Sequence, residues 1–196
     1  MKPIHLVSAL ILGASVSVQA ADSYTIDSRH TFPVFEVNHL GFSTQRGRFN
    51  KSVGKIMLDT AAKSGSVELT IDSGSIDMGI DKWDEHMKGP DFFDAAKHPT
   101  MTFKATKMKF DGDKLVGADG DFTLLGVTKP MSLALSGFRC GEHPMLKKIV
   151  CGVDATTTIK RSDFGMKYGI PAIGDEVKLM VPVEAISVRR LLPGAG

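Results

Sequence analysis

The sequence lacks the short motifs that mark the common enzyme classes. It contains no GxSxG nucleophile motif, and Gly112, Gly117 and Gly120 do not open a helix as the glycines of a phosphate-binding loop do. No HxH or HxxxH pair is present, which argues against a metal site on one strand or helix. We therefore expect no catalytic residue, no metal and no cofactor, although a Ser-His-Asp arrangement assembled only in space would leave no such spacing.

The chain also lacks a strong excess of charge of either sign. It has 24 Lys and Arg residues against 22 Asp and Glu residues, for a formal net charge of +2. The short basic pairs Lys147-Lys148 and Arg189-Arg190 are typical of solvated surface, so nothing favours a nucleic-acid partner. A length of 196 residues without an internal repeat predicts one globular domain.

Long apolar runs are absent beyond the first twenty residues. Lys2 precedes an apolar stretch from Ile4 to Val18, and Val18-Gln19-Ala20 fits a small-x-Ala cleavage site. This stretch is shorter than the roughly 20 residues that a membrane-spanning helix needs. The pattern predicts a cleaved signal peptide at residues 1–20, export of the protein, and a domain that occupies residues 21–196.

Cysteine is scarce, with two residues in the chain. An even number of cysteines in an exported protein suggests a disulfide, here between Cys140 and Cys151. Gly141, Pro144 and the lysines between the cysteines indicate a loop, so both cysteines are expected at the strand ends of one hairpin. A redox or metal pair is the alternative, but neither cysteine belongs to a CxxC motif.

What the sequence has in abundance is period-2 alternation of apolar and polar residues. It recurs at residues 35–38, 67–72, 131–136 and 177–184, and Asp111-Gly112 is a hairpin signal between two further strands. About eight antiparallel strands with short links predict an up-and-down barrel or a sandwich. An eight-stranded barrel is either filled by its side chains or holds one small ligand, and composition does not separate these cases.

Two positions carry finer predictions about the strands. Pro182 lies within the last alternating stretch, which predicts an edge or rim position because proline has no N–H to donate. The alternation slips around Gly54, with Val53 on one phase and Ile56 on the other. Such a slip predicts a β-bulge.

One stretch, residues 81–103, interrupts the β pattern. Asp81 is a plausible N-cap, Trp83 and Met87 have the i, i+4 spacing of one helical face, and Gly89-Pro90 ends the first turns. A second short turn is expected before Pro99. These features predict a helical segment around residues 81–97 that serves as a lid and wall beside the β-structure.

Four segments resemble the YceI family, and they occur in order through most of residues 22–189: YTIDSRHTFPVFEVNHLGFSTQRGRFNK, HMKGPDFFDAAKHPTMTF, GDFTLLGVTKPMSL and IKRSDFGMKYGIPAIGDEVKL. The resemblance implies a mainly β fold, an extended eight-stranded antiparallel lipocalin-like β-barrel with a helical segment beside it. The cysteine hairpin from Arg139 to Gly152 lies outside the pattern of the family.

The resemblance also implies a function. Members of the family are exported and bind polyisoprenoid, quinone-like or long fatty-acyl molecules in an elongated apolar pocket, and many form homodimers. We therefore expect a periplasmic carrier or storage protein, likewise a homodimer, with such a lipid as its ligand and the possibility of transient membrane contact. Two alternatives stay open: a secreted hydrolase or protease of the same family, and a ligand-free periplasmic stress-response interaction protein.

Candidate ligand-binding residues follow from the same resemblance together with the predicted strands. The expected walls of the pocket are apolar: Phe35, Val37, Phe49, Trp83, Phe92, Phe93, Phe103, Phe122, Ile159, Phe164, Met166 and Ile170. The expected contacts to a polar head group are His39, Arg161, Asp163 and Tyr168. For each aromatic residue the alternative is ordinary barrel core, and for Arg161 with Asp163 it is a structural ion pair.

Overall fold

A computed structural model describes residues 21–189. The predicted signal peptide and the end of the predicted domain, residues 190–196, lie outside the described residues. Within 21–189 the chain forms eleven β-strands and one α-helix: β1 (Asp22–Ile26), β2 (Val34–His39), β3 (Ser43–Phe49), β4 (Ser52–Asp59), β5 (Ser64–Asp72), β6 (Ile76–Asp77), α1 (Asp81–Lys88), β7 (Thr100–Asp111), β8 (Lys114–Leu124), β9 (Val127–Glu142), β10 (Ile149–Lys160) and β11 (Ile173–Ser187). In this part of the chain, no helix has the length and apolar character needed to cross a membrane.

Eight strands form a closed antiparallel barrel. The order is β1-β4-β5-β7-β8-β9-β10-β11, and β11 pairs back with β1 through Tyr24 opposite Ser187 and Ile26 opposite Ala185. Closure leaves the barrel without an unpaired edge along this ring. The predicted eight-stranded barrel is confirmed.

Strand β11 is long enough to have two neighbours on the same side. Its first half pairs with β2, which continues through β3 to β6, and its last residues pair with β1. Pro182 lies between Met180, the last residue paired with β2, and Ala185, where pairing with β1 is already established. The prediction of an edge-like position for Pro182 is therefore confirmed within an otherwise closed sheet.

Around Gly54 the prediction was wrong. The register of β4 against β5 runs without a shift from Ser52 opposite Ile71 to Asp59 opposite Ser64. Gly54, Ile56 and Leu58 share one unbroken inward phase, whereas Val53 points outward and is 62% exposed, so an exposed apolar residue produced the apparent slip. Gly54 faces inward, and a side chain there would collide with the carbonyl oxygen of Glu68, so close strand packing explains the glycine.

Helix α1 is shorter than the predicted helical segment. It ends at Lys88, and residues 89–97 form successive turns rather than helix. Asp81 is the first helical residue and not the N-cap, which is Ile80 without a side-chain cap. Instead, Asp84 reaches back and accepts a hydrogen bond of 2.6 Å from the backbone N–H of Met78. This bond fixes the chain that leads into the helix, where an acidic group is also favoured by the helix dipole.

The two cysteines form the predicted disulfide between Cys140 and Cys151. They lie directly opposite each other in β9 and β10, whose connection is residues 143–148. The predicted hairpin is thus confirmed, and the bond joins strands that already pair. This hairpin forms one end of the barrel, together with the turns after β4 and β7.

Candidate functional site

The barrel encloses an apolar cavity of about 180 Å³. Its lining extends from Tyr24 and Leu58, near the end that carries the disulfide hairpin, to Met166 and Ile173 near the opposite end. The inward side chains of β9, β10 and β11 are only half-buried at several positions, among them Leu133, although they point into the barrel. The barrel is therefore not filled completely by its own side chains.

Ten of the sixteen residues predicted to bind ligand line this cavity: Phe35, Val37, Phe49, Phe92, Phe93, Phe103, Phe122, Ile159, Arg161 and Met166. Three of them form an aromatic cluster, in which Phe93 lies 5.1 Å from Phe49 and 6.2 Å from Phe35 between ring centroids. Phe93 reaches the cavity because the turns after α1 fold back, with its N–H donating to the Met87 carbonyl at 3.0 Å. Whether these residues contact a ligand stays a prediction.

Six predicted residues do not line the cavity: His39, Trp83, Asp163, Phe164, Tyr168 and Ile170. Trp83 is 43% exposed on the outer side of α1, and Asp163 is exposed on a short 3₁₀ turn. Phe164 is buried, with its ring 5.5 Å from that of Phe122, so it supports the wall from behind. These side chains belong to the surface or the core and not to the cavity wall.

The other three of these residues lie in or beside the loop between β10 and β11. His39 is the last residue of β2, half-buried and paired with Ile173. Ile170 is half-buried within the loop itself. The Tyr168 ring is 49% exposed and packs against Phe92 with 5.4 Å between centroids. These positions close the end of the barrel without facing its interior.

The prediction also missed many aliphatic lining residues. Alternation had placed several of them on the inner face of a strand, but the emphasis on aromatic residues left them out of the predicted site. The missed residues on the long strands include Ile56, Val67, Leu69, Leu133, Leu135, Val153, Leu179, Val181 and Val183. Their period-2 spacing was the signal that could have identified them.

Arg161 is the only residue with a charged side chain among the lining residues, all of which lie within 21–189. It is 3% exposed. Its Nε donates to the Gly174 carbonyl at 2.8 Å, and its Nη1 donates to Met166 at 3.3 Å. Its Nη2 donates to the carbonyls of Tyr168 at 2.9 Å and Ile173 at 3.1 Å. A guanidinium has five N–H groups, so one of those on Nη1 has no acceptor among the described residues.

The alternative of an Arg161–Asp163 ion pair is wrong, because Asp163 points to solvent and Arg161 binds carbonyl oxygens. Burial lowers the pKa of the Arg161 guanidinium, and the nearby Asp175 carboxylate partly offsets this effect. Asp175 itself accepts hydrogen bonds from the backbone N–H and the hydroxyl of Ser162, at 2.9 and 2.7 Å. Those bonds lower the pKa of Asp175, which stays a carboxylate beside the buried cation.

A second charged group lies away from the cavity, in the turn between β1 and β2. Asp27 is 9% exposed and accepts hydrogen bonds from the Arg29 backbone N–H at 3.0 Å and from its Nε at 3.1 Å. His30 Nδ1 lies 3.0 Å from the other carboxylate oxygen. The Arg29 side chain, and then His30, hold the pKa of the Asp27 carboxyl well below its usual range, against the opposing effect of burial.

Fold and cavity together define a class of proteins, the small closed antiparallel β-barrels with an apolar interior space. Residues 24–185 match the family model of the YceI-like domain. The chain is also 35% identical to Protein YceI of Escherichia coli O6:H1 over 186 residues, covering 93% of this chain and 96% of that protein. The chain therefore belongs to the YceI-like domain family.

Solved structures agree with this fold. BcnA of Burkholderia cenocepacia matches with a TM-score of 0.70 at 22% identity, covering 81% of this chain and 98% of that one. A structure described as a polyisoprenoid binding domain from Saccharophagus degradans, implicated in plant cell wall breakdown, matches with a TM-score of 0.63 at 19% identity. That match covers 84% of this chain and 98% of the other. At these identities the two structures establish the shared fold.

Proposed function

We propose that this protein is a carrier or storage protein that binds a long apolar lipid, isoprenoid, quinone-like or fatty-acyl, inside its barrel. The observation that carries the proposal is the cavity, whose wall is apolar along the whole interior apart from Arg161. A wall of this kind offers almost nothing to a polar substrate, while it suits a hydrocarbon chain. The Saccharophagus degradans domain of the same fold, described as polyisoprenoid-binding, supports this choice of ligand class.

The cavity is long for its volume, because its lining runs from Tyr24 near one end of the barrel to Ile173 near the other, and this shape suits a slim chain. A volume of about 180 Å³ slightly exceeds the about 150 Å³ in which an engineered protein cavity binds benzene. Burial of each methylene group contributes about 0.8 kcal/mol, so several carbons are needed to offset the cost of association. A linear chain can supply them by extending along the barrel axis while the half-buried side chains of β9–β11 adjust around it.

Arg161 is our candidate for the polar head of the ligand. Its remaining Nη1 N–H can donate to a carbonyl, hydroxyl or anionic oxygen without breaking the bonds that hold the loop. A cationic head would be disfavoured, because among residues 21–189 the one charged side chain on the wall, Arg161, is positive. The proposed ligand is therefore a hydrocarbon chain whose head group carries an oxygen acceptor.

The proposal includes export to the periplasm after cleavage of residues 1–20, and assembly as a homodimer. A lipid that has to cross an aqueous compartment needs a closed apolar container, which is the physical reason to pair this fold with export. No cofactor is required by the proposal. Transient contact with a membrane, where such lipids reside, completes it.

The test compares two neighbouring positions on β11. Val181 is half-buried and faces the cavity, whereas Met180 is half-buried on the outer side of the strand. Val181→Phe should fill the free space, while Met180→Phe leaves it unchanged and controls for the added ring. Protein purified from a bacterial host is examined by native mass spectrometry, and released lipid is identified after denaturation.

We expect a lipid adduct on the wild type and on Met180→Phe, and a loss of at least tenfold in lipid content for Val181→Phe. Circular dichroism establishes that both variants are folded. Repeated absence of any adduct on the wild type, together with no binding of added prenyl quinone or fatty acid, would refute the proposed function. Equal lipid content in the two variants would mean that the ligand binds outside the barrel interior, which contradicts the proposal.

A further inference from the structure

The last part of β9 has a strand partner on one side. Pairing of β9 with β8 stops at Ala134 opposite Gly117, although β8 already begins at Lys114. Pairing of β9 with β10 continues to the last residue of β9, Glu142. Among the described residues, the end of β9 therefore has no strand partner on the side of β8. We refer to this end, residues 135–142, as the β9 flap.

A β-bulge interrupts the pairing of the β9 flap with β10. The register shifts between Gly152 and Asp154 of β10. Two residues of the flap, Gly137 and Phe138, lie there opposite the single residue Val153. Gly137 has a φ of 69°, the left-handed conformation of the first residue in a glycine bulge. A bulge bends its strand and breaks its ladder, and beyond this one four residue pairs hold the flap against β10.

Apolar side chains, and not strand pairing, fill the gap between the β9 flap and β8. Leu115 on β8, with Leu135 and Phe138 on the flap, lines the cavity at this gap. These three side chains belong to one apolar cluster with Cys151. Separating them breaks no ladder of backbone hydrogen bonds. The wall should therefore open here more easily than at the end that the four hydrogen bonds of Arg161 hold closed.

The disulfide ties the β9 flap to the wall of the barrel. Cys140 belongs to the flap, and Cys151 belongs to β10, which stays paired with β11 as far as Val150. Cys151 is 8% exposed and lines the cavity, whereas Cys140 is exposed. One partner of the bond is thus part of the cavity wall, and the other can be reached from water.

We propose that the Cys140–Cys151 disulfide is a redox-sensitive latch on the lipid exit of the cavity. While the bond is intact, the β9 flap stays on β10 and the gap beside β8 stays closed. When a dithiol reduces the bond, the flap moves outward at the Gly137 bulge and a hydrocarbon chain leaves between β8 and β9. It leaves tail first, because its head group is assigned to Arg161 at the other end. The cargo rests on the proposed function, whereas the motion of the flap does not.

The reduction is a thiol–disulfide exchange in which the dithiol supplies two electrons. A thiolate of the dithiol attacks Sγ of Cys140, the exposed partner, and expels Cys151 as a thiolate that takes up a proton. The second thiol of the dithiol then loses its proton, attacks the sulfur of its own first thiol in the mixed disulfide, and expels Cys140, which is protonated in turn. The dithiol ends as a disulfide and both cysteines end as thiols.

The experiment measures how fast loaded protein releases cis-parinaric acid, a fluorescent fatty acid, into an excess of phosphatidylcholine vesicles. The oxidised wild type is compared with the wild type reduced by dithiothreitol and with the double variant Cys140→Ser/Cys151→Ser. Gly120→Ala controls for a loss of global stability, because its methyl group would meet the backbone of β7, away from the flap. Hydrogen exchange of the same proteins reports the motion of the flap without any cargo.

A matched pair of variants tests where the exit lies. Phe138 and Phe110 are both half-buried and pack against the same apolar cluster. Phe138 lines the cavity on the flap side of the gap, whereas Phe110 is on β7, on the far side of β8, and does not line it. In oxidised protein, Phe138→Ala should release the probe faster than the wild type does, and Phe110→Ala should release it at the wild-type rate.

Reduction should raise the release rate constant about tenfold or more, because four residue pairs alone then hold the flap. The double variant should match the reduced wild type with and without dithiothreitol. Gly120→Ala should release the probe at the oxidised wild-type rate until dithiothreitol is added. The amides of residues 135–142 should exchange faster after reduction, while those of β5 should not change.

The latch is refuted if oxidised and reduced wild type release the probe equally fast. It is also refuted if oxidised Gly120→Ala releases it as fast as the double variant, since global instability would then explain the effect. If the flap amides exchange faster after reduction but neither cis-parinaric acid nor a prenyl quinone ever binds, the proposed function fails and the motion of the flap stands. If lipid binds but neither release nor exchange responds to reduction, the latch fails and the proposed function stands.

Discussion

Replacing Arg161 with methionine should destabilise this protein more than almost any other single change. The side chain is 3% exposed and donates four hydrogen bonds to carbonyl oxygens of residues 166–174. Methionine has a similar length but no donor, so the four acceptors would lose their partner together. They belong to the loop and strand start that close one end of the barrel, so their loss affects the closure of the cavity.

The expected loss is about 3–5 kcal/mol in the free energy of unfolding, because several carbonyl acceptors are left without a partner and each unsatisfied buried acceptor costs about 1–3 kcal/mol. A simple sum over four bonds to a charged donor, each about 1.5–3 kcal/mol, would overestimate it. The loop can open and hydrate some carbonyls, and the variant no longer buries a charge. Arg161→Lys should lose less, about 2 kcal/mol, because one ammonium group has three donors and cannot reach four carbonyls in a fork.

Equilibrium unfolding in urea measures these losses, with fluorescence of the single tryptophan, Trp83, as the signal. Trp83 is a suitable reporter because its helix contacts the loop that Arg161 holds. His86, in the same helix, packs against the Tyr168 ring of that loop with 6.0 Å between centroids. The control is Lys160→Met, an exposed neighbour expected to change stability by less than about 0.5 kcal/mol.

A value for Arg161→Met within about 0.5 kcal/mol of the wild type would refute the reasoning. Hydrogen exchange distinguishes a further outcome. If the amides of residues 166–174 exchange faster while the urea midpoint is unchanged, Arg161 holds only the loop and does not support the barrel as a whole.

Three further changes test other parts of the fold. Asp27→Asn should cost about 1 kcal/mol in the free energy of unfolding at neutral pH. Because the pKa of Asp27 is depressed in the folded state, this stabilisation exists above the unfolded pKa of about 3.9 and fades as the pH falls below it. An equal cost in urea titrations at neutral and strongly acidic pH would contradict this assignment. Replacing Cys140 and Cys151 by serine should cost about 3 kcal/mol in the free energy of unfolding and make stability in urea insensitive to dithiothreitol. A loss below about 1 kcal/mol would mean that strand pairing alone holds the hairpin together without the disulfide. Gly120→Ala should cost about 1–3 kcal/mol because its methyl group would meet the backbone of β7, whereas Gly141→Ala, which has open space around it, should leave the melting temperature nearly unchanged.

Much of the fold could be predicted from local patterns. Alternation identified the inner faces of the strands, and the Gly-Pro pair marked the end of the helical turns. The loop residues between Cys140 and Cys151 were enough to place both cysteines in one hairpin. These predictions succeeded because each depends on neighbours within about a dozen residues.

Predictions of side-chain environment were weaker, because alternation indicates which face of a strand a side chain is on but not whether it reaches the cavity. Phe164 and Met166 are both buried and two residues apart, yet Met166 lines the cavity and Phe164 lies behind Phe122. Trp83 and Met87 have the spacing of one apolar helical face, but Met87 lines the cavity whereas Trp83 is exposed. Which residue reaches the interior depends on how the turns fold back, and that depends on contacts distant in sequence.

By itself, the sequence determined a set of antiparallel strands, one helical interruption and a cysteine hairpin, and its resemblance to the YceI family predicted that the strands form a barrel with an apolar pocket. Tertiary structure alone decided that β11 pairs with both β1 and β2, which closes and lengthens the barrel. It also decided that Arg161 is held by four carbonyls and not by Asp163, and that space remains between the inward side chains. The physical reason is that strand partners, hydrogen-bond acceptors and free volume are properties of segments that meet only in the folded chain.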